Sequence, residues 1–250
     1  MMKNVVVSLY DNNVFPNPVE FFGMIMEELK AHVKKYGDDC DFYQNYDCFR
    51  YGNGCDVVIA VGGDLSAERL VLAYSHGIFP WFSFREKKEI EWHCPICRFV
   101  IFPDEIHVSH SMRNLMNKNE YRVTYDQDFE GVIRNCSQLR INELGAWLGP
   151  DMVAAYTKLH ELGYAKSVEV RKDGNLVGGL YGVSLGRCFF GESMFSLAPS
   201  ASKMALIGLA NRMKENGGLM IDCQFETPHL KSMGGRTIMY DEYMEYVNAK

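Results

Sequence analysis

Residues 218–230 read GLMIDCQFETPHL, and this stretch decides the fold because it closes a buried strand and then turns polar. Its first part, residues 219–221, is a short apolar run typical of a buried strand. Asp222 and Gln224 follow, and because side chains alternate across a strand, both are expected on one face. The residues alone leave two interpretations open: the pair satisfies amides of the next loop, or it carries chemistry.

The chain before this strand predicts a helix and an antiparallel meander. Residues 202–218, SKMALIGLANRMKENGG, have the pattern of a helix that ends at glycines. Residues 167–195 alternate strand-like segments with turn signals at residues 173–174 and 185–186. Because strands come first and a helix and a strand follow, we expect an α+β fold with a mixed, mainly antiparallel sheet.

Four further helices are predicted from apolar periodicity. One is the segment PDMVAAYTKLHELG, whose residues Met152, Tyr156 and Leu159 share a face. The others lie at residues 19–37, 67–77 and 108–123, the second with Ser66 as N-cap and Gly77 past its end.

Composition places the chain among ordinary globular proteins. Its 250 residues are 47% hydrophobic, enough to bury one large core or two small ones. The apolar run near the N-terminus is too short for a signal peptide, and no segment reaches the roughly 18 apolar residues of a membrane span. Eight cysteines without a framework are typical of a reducing compartment. We therefore expect a cytoplasmic protein with no membrane partner.

Cys94 and Cys97 have CxxC spacing, which three roles can explain. A closed zinc site needs two more ligands, and the candidates Cys40, Cys48 and Cys55 contain no matching pair. A redox CxxC should open a helix, whereas the apolar run RFVIF that follows indicates a strand. A local structural role is favoured, and we expect no metal and no cofactor.

Several blocks resemble the leucyl/phenylalanyl-tRNA–protein transferase family. They are AYSHGIFPWFSF at residues 73–84, GGLYGVSLGRCFFGESMFS at 178–196, ASKMAL at 201–206 and IDCQ at 221–224. The resemblance implies transfer of leucine or phenylalanine, less often methionine, from aminoacyl-tRNA to the α-amine of a protein that begins with Arg or Lys, which marks that protein for degradation. It also implies an acetyltransferase-like (GNAT) catalytic domain, and we expect a monomer.

The resemblance also sets the expected domains and shows where this chain departs from the family. We expect an N-terminal domain at residues 1–97, with an atypical insertion at about 17–56, and a catalytic domain at residues 98–250. The family's paired tryptophans become Trp92-His93, and its Thr-Trp becomes Ala146-Trp147.

Three residues are candidates for the chemistry, which is the aminolysis of an ester. Asp222 suits the attraction of an incoming amine, and Gln224, too weakly basic to take a proton, suits a positioning role in which Asp222 holds it. Glu192, which alone suits a core ion pair, would with Asp222 form an acidic mouth for an N-terminal Arg or Lys side chain.

Substrate contacts are implied for three groups of residues. The terminal adenosine is expected to stack on Trp81 or Trp147 with Tyr74 nearby, since unstacked bases favour aromatic platforms. The net charge of -6 argues against wholesale coating by nucleic acid, so tRNA contacts are confined to a local patch. That patch is expected at Arg113 and Lys118, with His110 beside them and Arg98 or Arg122 as additions. The amino-acid pocket is implied to consist of Leu180, Phe189, Leu206, Leu209, Met213 and Ile221, residues that equally suit a plain core.

Two other functions compete with this one. An acyl-CoA-dependent N-acetyltransferase would want a glycine-rich pyrophosphate turn that opens a helix, and the sequence contains none. A non-catalytic tRNA- or peptide-binding module would explain why the helix predicted at residues 108–123 carries few basic residues. It would not explain why Asp222, Gln224 and Glu192 are all present.

Overall fold

The computed structural model describes residues 58–81, 90–95, 97–140 and 147–249. The predicted helix at residues 19–37, the insertion at about 17–56 and Cys40, Cys48 and Cys55 lie outside the described residues. The described strands are β1 Val58–Val61, β2 Phe79–Trp81, β3 Glu91–His93, β4 Cys97–Ile101, β5 Arg122–Tyr125, β6 Ala165–Lys172, β7 Asn175–Leu185, β8 Cys188–Ser196, β9 Met220–Asp222 and β10 Arg236–Met239. The described helices are α1 Ala67–Ser75, α2 His110–Asn117, α3 Phe129–Arg140, α4 Pro150–Glu161, α5 Ala201–Glu215, α6 Pro228–Ser232 and α7 Tyr240–Val247.

The main sheet has seven strands in the order β10-β4-β9-β8-β7-β6-β5. Among the described strands β8 and β9 pair in parallel, and every other pair is antiparallel. This confirms the α+β class with a mixed, mainly antiparallel sheet; the GNAT assignment stays a prediction. A separate sheet of three strands, in the order β1-β3-β2, precedes it.

The meander forms as predicted because its turns have the required conformations. Asp173 and Gly174 join β6 to β7 with φ values of 51° and 81°, the two positive angles of a tight hairpin turn. Between β7 and β8 the turn lies at Gly186 and Arg187, one residue later than expected, because Leu185 still pairs with Cys188.

The sheet opens between β8 and β9. The two strands pair only from Cys188 to Phe190 on β8 and from Met220 to Asp222 on β9. β9 ends there, whereas β8 continues through residues 191–196 alongside β7. The parallel strands therefore leave a gap in the middle of the sheet, directly after Asp222.

Helices cover both faces of this sheet and form two apolar cores. One core contains buried residues of α1, α3, α4 and α7, including the predicted face of α4 with Met152, Tyr156 and Leu159. The other is built on α5, whose residues 204–210 are all buried against the opposite face. The helices predicted near residues 67–77, 108–123, 150–163 and 202–218 are confirmed.

Sequence reasoning missed the helix α3. Its signals were present: Asp128 Oδ1 accepts a hydrogen bond from Gly131 N at 3.0 Å, as a capping residue does, and Phe129, Val132 and Ile133 face the core. Arg122, expected in or just beyond the preceding helix, instead opens β5, because that helix ends at Asn117.

The segment that contains the CxxC pair leads into the predicted strand. The apolar run after Cys97 is the strand β4, as predicted, and Cys94 is buried. Within the described residues no group of three His, Cys, Asp or Glu side chains is arranged to hold a metal ion.

None of the described helices has the length and apolar character needed to cross a membrane. A domain division between residues 97 and 98 stays a prediction and would fall at the first residue of β4.

Candidate active site

A cavity of about 400 Å³ lies at the gap between β8 and β9. Its lining draws on both apolar cores, because the opening in the sheet lets them meet there. One part of the wall is apolar, a second part is aromatic and a third carries the polar side chains of Glu192, Gln224 and His229. The cavity thus brings together an apolar pocket and a small set of polar groups, as ligand sites commonly do.

Glu192 reaches the cavity because of a β-bulge. Tyr181 pairs with Ser193 and the next residue, Gly182, pairs with Gly191, so Glu192 is the extra residue of β8. Bulges re-aim a side chain next to active sites. Here the bulge follows immediately after the last residues that join β8 to β9.

Three side chains hold the Glu192 carboxyl group. The hydroxyl of Tyr74 donates to Oε1 at 2.6 Å, the hydroxyl of Tyr156 donates to Oε2 at 2.8 Å, and Gln224 Nε2 donates to Oε1 at 3.1 Å. The two tyrosine oxygens are themselves 2.5 Å apart. When Glu192 is ionised it accepts from both phenols; when it is protonated it donates to one tyrosine, that tyrosine donates to the other, and the other donates back to Glu192, so the neutral form satisfies all three oxygen contacts.

The environment of Glu192 favours this neutral form. Burial raises the pKa of Glu192 to about 7, against the hydrogen bonds from Tyr74 and Tyr156, which lower it. Burial likewise raises the pKa of both tyrosines well above 10, so each remains a phenol that donates. Glu192 therefore changes charge close to neutral pH.

Asp222 is fully buried and saturated with partners. The guanidinium of Arg98 makes hydrogen bonds of 2.9, 3.0 and 2.7 Å to its two carboxylate oxygens, and both side chains are at most 1% exposed. The hydroxyl of Tyr243 donates to Oδ2 and the backbone N–H of Gln224 to Oδ1, each at 2.9 Å. The rings of Phe79 and Tyr243 lie 5.0 and 4.8 Å from the guanidinium carbon, which completes its burial.

This geometry corrects two expectations about Asp222. The carboxylate does not line the cavity, so the structure does not bring it to an incoming amine. Asp222 and Gln224 also do not share a strand face, because β9 ends at Asp222 and Gln224 has a left-handed φ of 59°. The expected link between them is present, through the Gln224 backbone N–H. Asp222 thus fixes the loop that carries Gln224.

The structure places the predicted pocket residues in one cavity, with one exception. Leu180, Phe189, Leu206, Leu209 and Ile221 line the cavity beside Glu192. Met213 does not; it lines a second cavity on the far side of Phe189 and Leu209. The role of all six residues in selecting an amino acid stays a prediction.

The aromatic residues divide between the cavity and the core. Trp81 and Trp147 line the cavity, as a base platform requires. Tyr74 is fully buried and its hydroxyl is engaged by Glu192, which corrects the expectation that it lies beside the adenine. Phe225, which sequence reasoning did not single out, lines the cavity with its ring centroid 5.6 Å from that of Trp81.

The basic residues expected to contact tRNA are only partly available. Arg113 is exposed on α2 and Lys118 is exposed at its C-terminal end, with His110 exposed at its start. Arg122 is exposed at the start of β5. Arg98, however, is 1% exposed and bound to Asp222, so it cannot contact a phosphate.

Two further polar residues of the cavity were missed. Ser193 and His229 both line it, and within the described part of the chain Ser193 Oγ and His229 Nε2 are buried without a hydrogen-bond partner. An unsatisfied buried polar atom costs about 1–3 kcal/mol, so each is available to a ligand. The chain offered a weak signal for His229, which follows Gln224 within five residues in the stretch that closes the sheet.

Comparison with known proteins gives a consistent match. The family model described as leucyl/phenylalanyl-tRNA protein transferase matches residues 100–248, and the model of its N-terminal domain matches residues 63–96. The chain is 51% identical to the leucyl/phenylalanyl-tRNA–protein transferase of Pseudomonas fluorescens Pf0-1, over 76% of this chain and 83% of that one. It is 52% identical to the enzyme of that name from Syntrophobacter fumaroxidans, over 73% and 78% of the two chains. A solved structure from Bacteroides thetaiotaomicron covers 61% of this chain and 55% of that chain at a TM-score of 0.40 and 14% identity, too low to support an argument.

Replacing Arg98 with methionine should lower the free energy of unfolding by about 3–5 kcal/mol, because it leaves the Asp222 carboxylate buried without its cation. Chemical denaturation measures this. As a control, Arg134→Met removes an exposed ion pair with Glu130 and should leave the free energy of unfolding nearly unchanged. The double variant Arg98→Met with Asp222→Leu should recover much of the lost free energy of unfolding, because it leaves no buried charge unpaired. Equal losses in the single and double variants would show that the unpaired Asp222 carboxylate is not the cause.

Proposed function

Since the chain belongs to the leucyl/phenylalanyl-tRNA–protein transferase family of aminoacyltransferases, we propose that the cavity between β8 and β9 is the site of amino-acid transfer. The donor is leucine, phenylalanine or methionine esterified to tRNA. The acceptor is the α-amine of a protein that begins with Arg or Lys, and the product is a protein marked for degradation.

The observation that supports this proposal is the meeting of an apolar wall and a polar pair in one cavity. The donor side chain enters the apolar part of the cavity, which is lined by Leu180, Leu206 and Ile221. The cavity is large enough for a phenyl ring, and these three residues carry no charge. Glu192 and Gln224 lie in the same cavity, joined by a hydrogen bond of 3.1 Å. A donor held by its side chain therefore presents its ester beside two groups that can bind an amine.

The reaction is the aminolysis of an ester. The neutral acceptor amine attacks the ester carbonyl, a C–N bond forms, and the C–O bond to the terminal ribose breaks. The proton that the amine loses is taken up by the ribose oxygen, which leaves with the tRNA as a hydroxyl. An α-amine has a pKa of about 8, so a sizeable fraction is neutral at pH 7 to 8 and no strong base is needed. Most of the acceleration then comes from holding amine and ester together, which is worth up to roughly 7–11 kcal/mol.

Gln224 is the group proposed to position the amine. Its Nε2 donates to Glu192, which leaves the amide oxygen as an acceptor for an amine N–H. Its backbone is fixed through the N–H that Asp222 accepts. Asp222 and Arg98 are thus positioning residues that act on the substrate through Gln224.

Glu192 is proposed to attract the positive charge of the acceptor. Among the described residues it is the carboxylate that lines the cavity, and a chain that begins with Arg or Lys carries one cation on its amine and one on its side chain. Because the pKa of Glu192 is about 7, the carboxylate is partly protonated at neutral pH and becomes fully attractive above it.

The tRNA is proposed to meet the protein at the aromatic end of the cavity. Trp81 and Trp147 offer faces on which the terminal adenine stacks, and Phe225 supports Trp81. Arg113 and Lys118 are proposed to contact phosphates further along the acceptor strand. No cofactor is needed, because the ester itself is the activated group.

Transfer of radiolabelled leucine from leucyl-tRNA to a peptide that begins with Arg tests the function directly. We expect efficient transfer to this peptide and little transfer to the same peptide with an acetylated N-terminus. Gln224→Ala should lower kcat with little change in binding of aminoacyl-tRNA, because the lost interaction is with the amine. Absence of transfer to any basic N-terminus would refute the proposed function.

The dependence of kcat/KM on pH tests the role of Glu192. In the wild-type protein kcat/KM should rise near pH 7, where Glu192 loses its proton, and again near the amine pKa of about 8. Glu192→Gln should abolish the first rise and keep the second, whereas Glu161→Gln, at an exposed glutamate of α4, should keep both. A rise near pH 7 that persists in Glu192→Gln would rule out this role.

The salt dependence of tRNA binding tests the basic patch. Each phosphate contact adds about 0.7–0.9 to the slope of log affinity against log salt. If Arg113, Lys118 and Arg122 are the contacting residues, the measured slope should correspond to about two to three phosphate contacts. Fluorescence titrations of tRNA over a range of salt concentrations measure it. A slope near that of ten contacts would mean that a larger basic surface binds the tRNA.

A further inference from the structure

A second cavity of about 380 Å³ lies beside the C-terminal half of α5, next to the turn between β7 and β8. Of its lining residues it shares only Phe189 and Leu209 with the cavity that holds Glu192. No step of the proposed transfer takes place in it. The second cavity is therefore a separate site, and its own lining decides what it can bind.

Most of the lining of the second cavity is apolar. Its aliphatic, thioether and phenyl side chains are those of Val168, Phe189, Leu209 and Met213. The ring of Tyr125 adds an aromatic wall, and because its hydroxyl donates to the carbonyl oxygen of Gly208 at 3.0 Å, the ring is held against α5. The part of a ligand that enters this cavity is therefore expected to be hydrocarbon.

Two exposed arginines add positive charge to the lining. Arg212 lies in the last turn of α5, with its guanidinium carbon 5.4 Å from the centre of the Tyr125 ring, and within the described residues this guanidinium has no hydrogen bond or ion pair. Arg187 lies in the turn between β7 and β8, where its Nε donates to the carbonyl oxygen of Gly217 at 2.7 Å. Its two terminal nitrogens have no partner in the same part of the chain. Both guanidinium groups thus offer N–H donors to an anion.

The other charged groups nearby do not cancel these two arginines. Lys166 and Asp126 also line the cavity, but they form an ion pair with each other at 2.9 Å. Glu215, at the same end of α5, does not line the cavity. Three cations and one carboxylate give the lining a net charge of +2, in a chain whose net charge is -6. The second cavity therefore attracts anions, whereas the first carries the carboxyl group of Glu192.

We propose that the second cavity binds a monoanionic organic acid, with its hydrocarbon body against the apolar lining and its carboxylate at Arg187 and Arg212. Burial of the body removes apolar surface from water, and guanidinium groups make charge-assisted hydrogen bonds to carboxylates. The cavity that holds Glu192 does not suit the same acid, because an ionised Glu192 repels an anion. Free fatty acids and aryl-alkanoic acids share this chemistry.

Isothermal titration calorimetry at pH 8, where Glu192 is mostly ionised, tests the site with octanoate, 4-phenylbutanoate and the neutral 4-phenylbutanamide. We expect an acid to bind with a Kd of about 1 mM or below, within the reach of a ligand of this size. Arg187→Gln and Arg212→Gln should each weaken it by about fivefold, and the double variant by about twentyfold. The amide should bind to the wild-type protein about as weakly as the acid binds to the double variant.

Three matched variants locate the bound acid. Met213→Trp fills the second cavity alone and should abolish binding. Arg134→Gln removes an exposed arginine of α3 that lines neither cavity, and it should leave the affinity unchanged within about twofold. Glu192→Gln should also leave it unchanged, whereas an acid bound in the first cavity would bind more tightly once that carboxylate is gone. Thermal melts verify that each variant is folded, and the two arginine variants replace exposed side chains only.

The outcomes decide the inference without reference to catalysis. Binding of either acid that weakens in both arginine variants and not in Arg134→Gln supports the site, and the tighter of the two acids shows whether the ligand is aliphatic or aromatic. Three results would overturn it: no binding to the wild-type protein, unchanged affinity in both folded arginine variants, or tighter binding to Glu192→Gln. The titrations contain no transfer step, so a failure of the proposed function would leave their result intact.

Discussion

The buried ion pair between Arg98 and Asp222 is the interaction on which the site depends. It joins β4 to β9 at the level where β9 ends, and it is closed off by Tyr243 from α7 and Phe79 from β2. Removing two charges from water is expensive, and the cost is offset only when the guanidinium and the carboxylate are held in close hydrogen-bonded contact. That requirement fixes the position of the strand end, and hence of the loop that carries Gln224, more tightly than apolar packing would.

From this pair a continuous chain of hydrogen bonds crosses the gap in the sheet. Asp222 accepts from the backbone of Gln224, Gln224 donates to Glu192, and Glu192 accepts from the hydroxyls of Tyr74 and Tyr156. The two tyrosines belong to α1 and α4, so side chains from two helices that are far apart in sequence bind the same carboxyl group. The polar groups of the cavity are therefore preorganised by neighbours that are themselves buried, Tyr74 and Tyr156 both in the core that contains α1 and α4.

The sequence specifies the local elements well and the long-range pairings poorly. Apolar periodicity is enough to predict α4 and α5, and paired turn residues are enough to predict the hairpin at Asp173, because both depend on neighbours in the chain. The partner of Asp222 lies 124 residues away, and nothing in the pattern around Arg98 distinguishes it from a surface arginine that binds phosphate. The family resemblance points to the pocket residues as a set, but only the structure shows that Met213 lies behind Phe189. The bulge at Glu192 is equally invisible, since the β7 and β8 segments are long enough to pair in either register.

That bulge makes β8 sensitive to length as well as to composition. Deleting one residue between Glu192 and the end of the strand would remove the bulge, so that Glu192 would pair with Tyr181 in a regular ladder and its side chain would lose the direction that the bulge gives it. A substitution in this strand changes one side chain, whereas the loss of the extra residue would move the Glu192 carboxyl group relative to Tyr74, Tyr156 and Gln224. The number of residues in β8 is therefore as much a part of the site as the residues themselves.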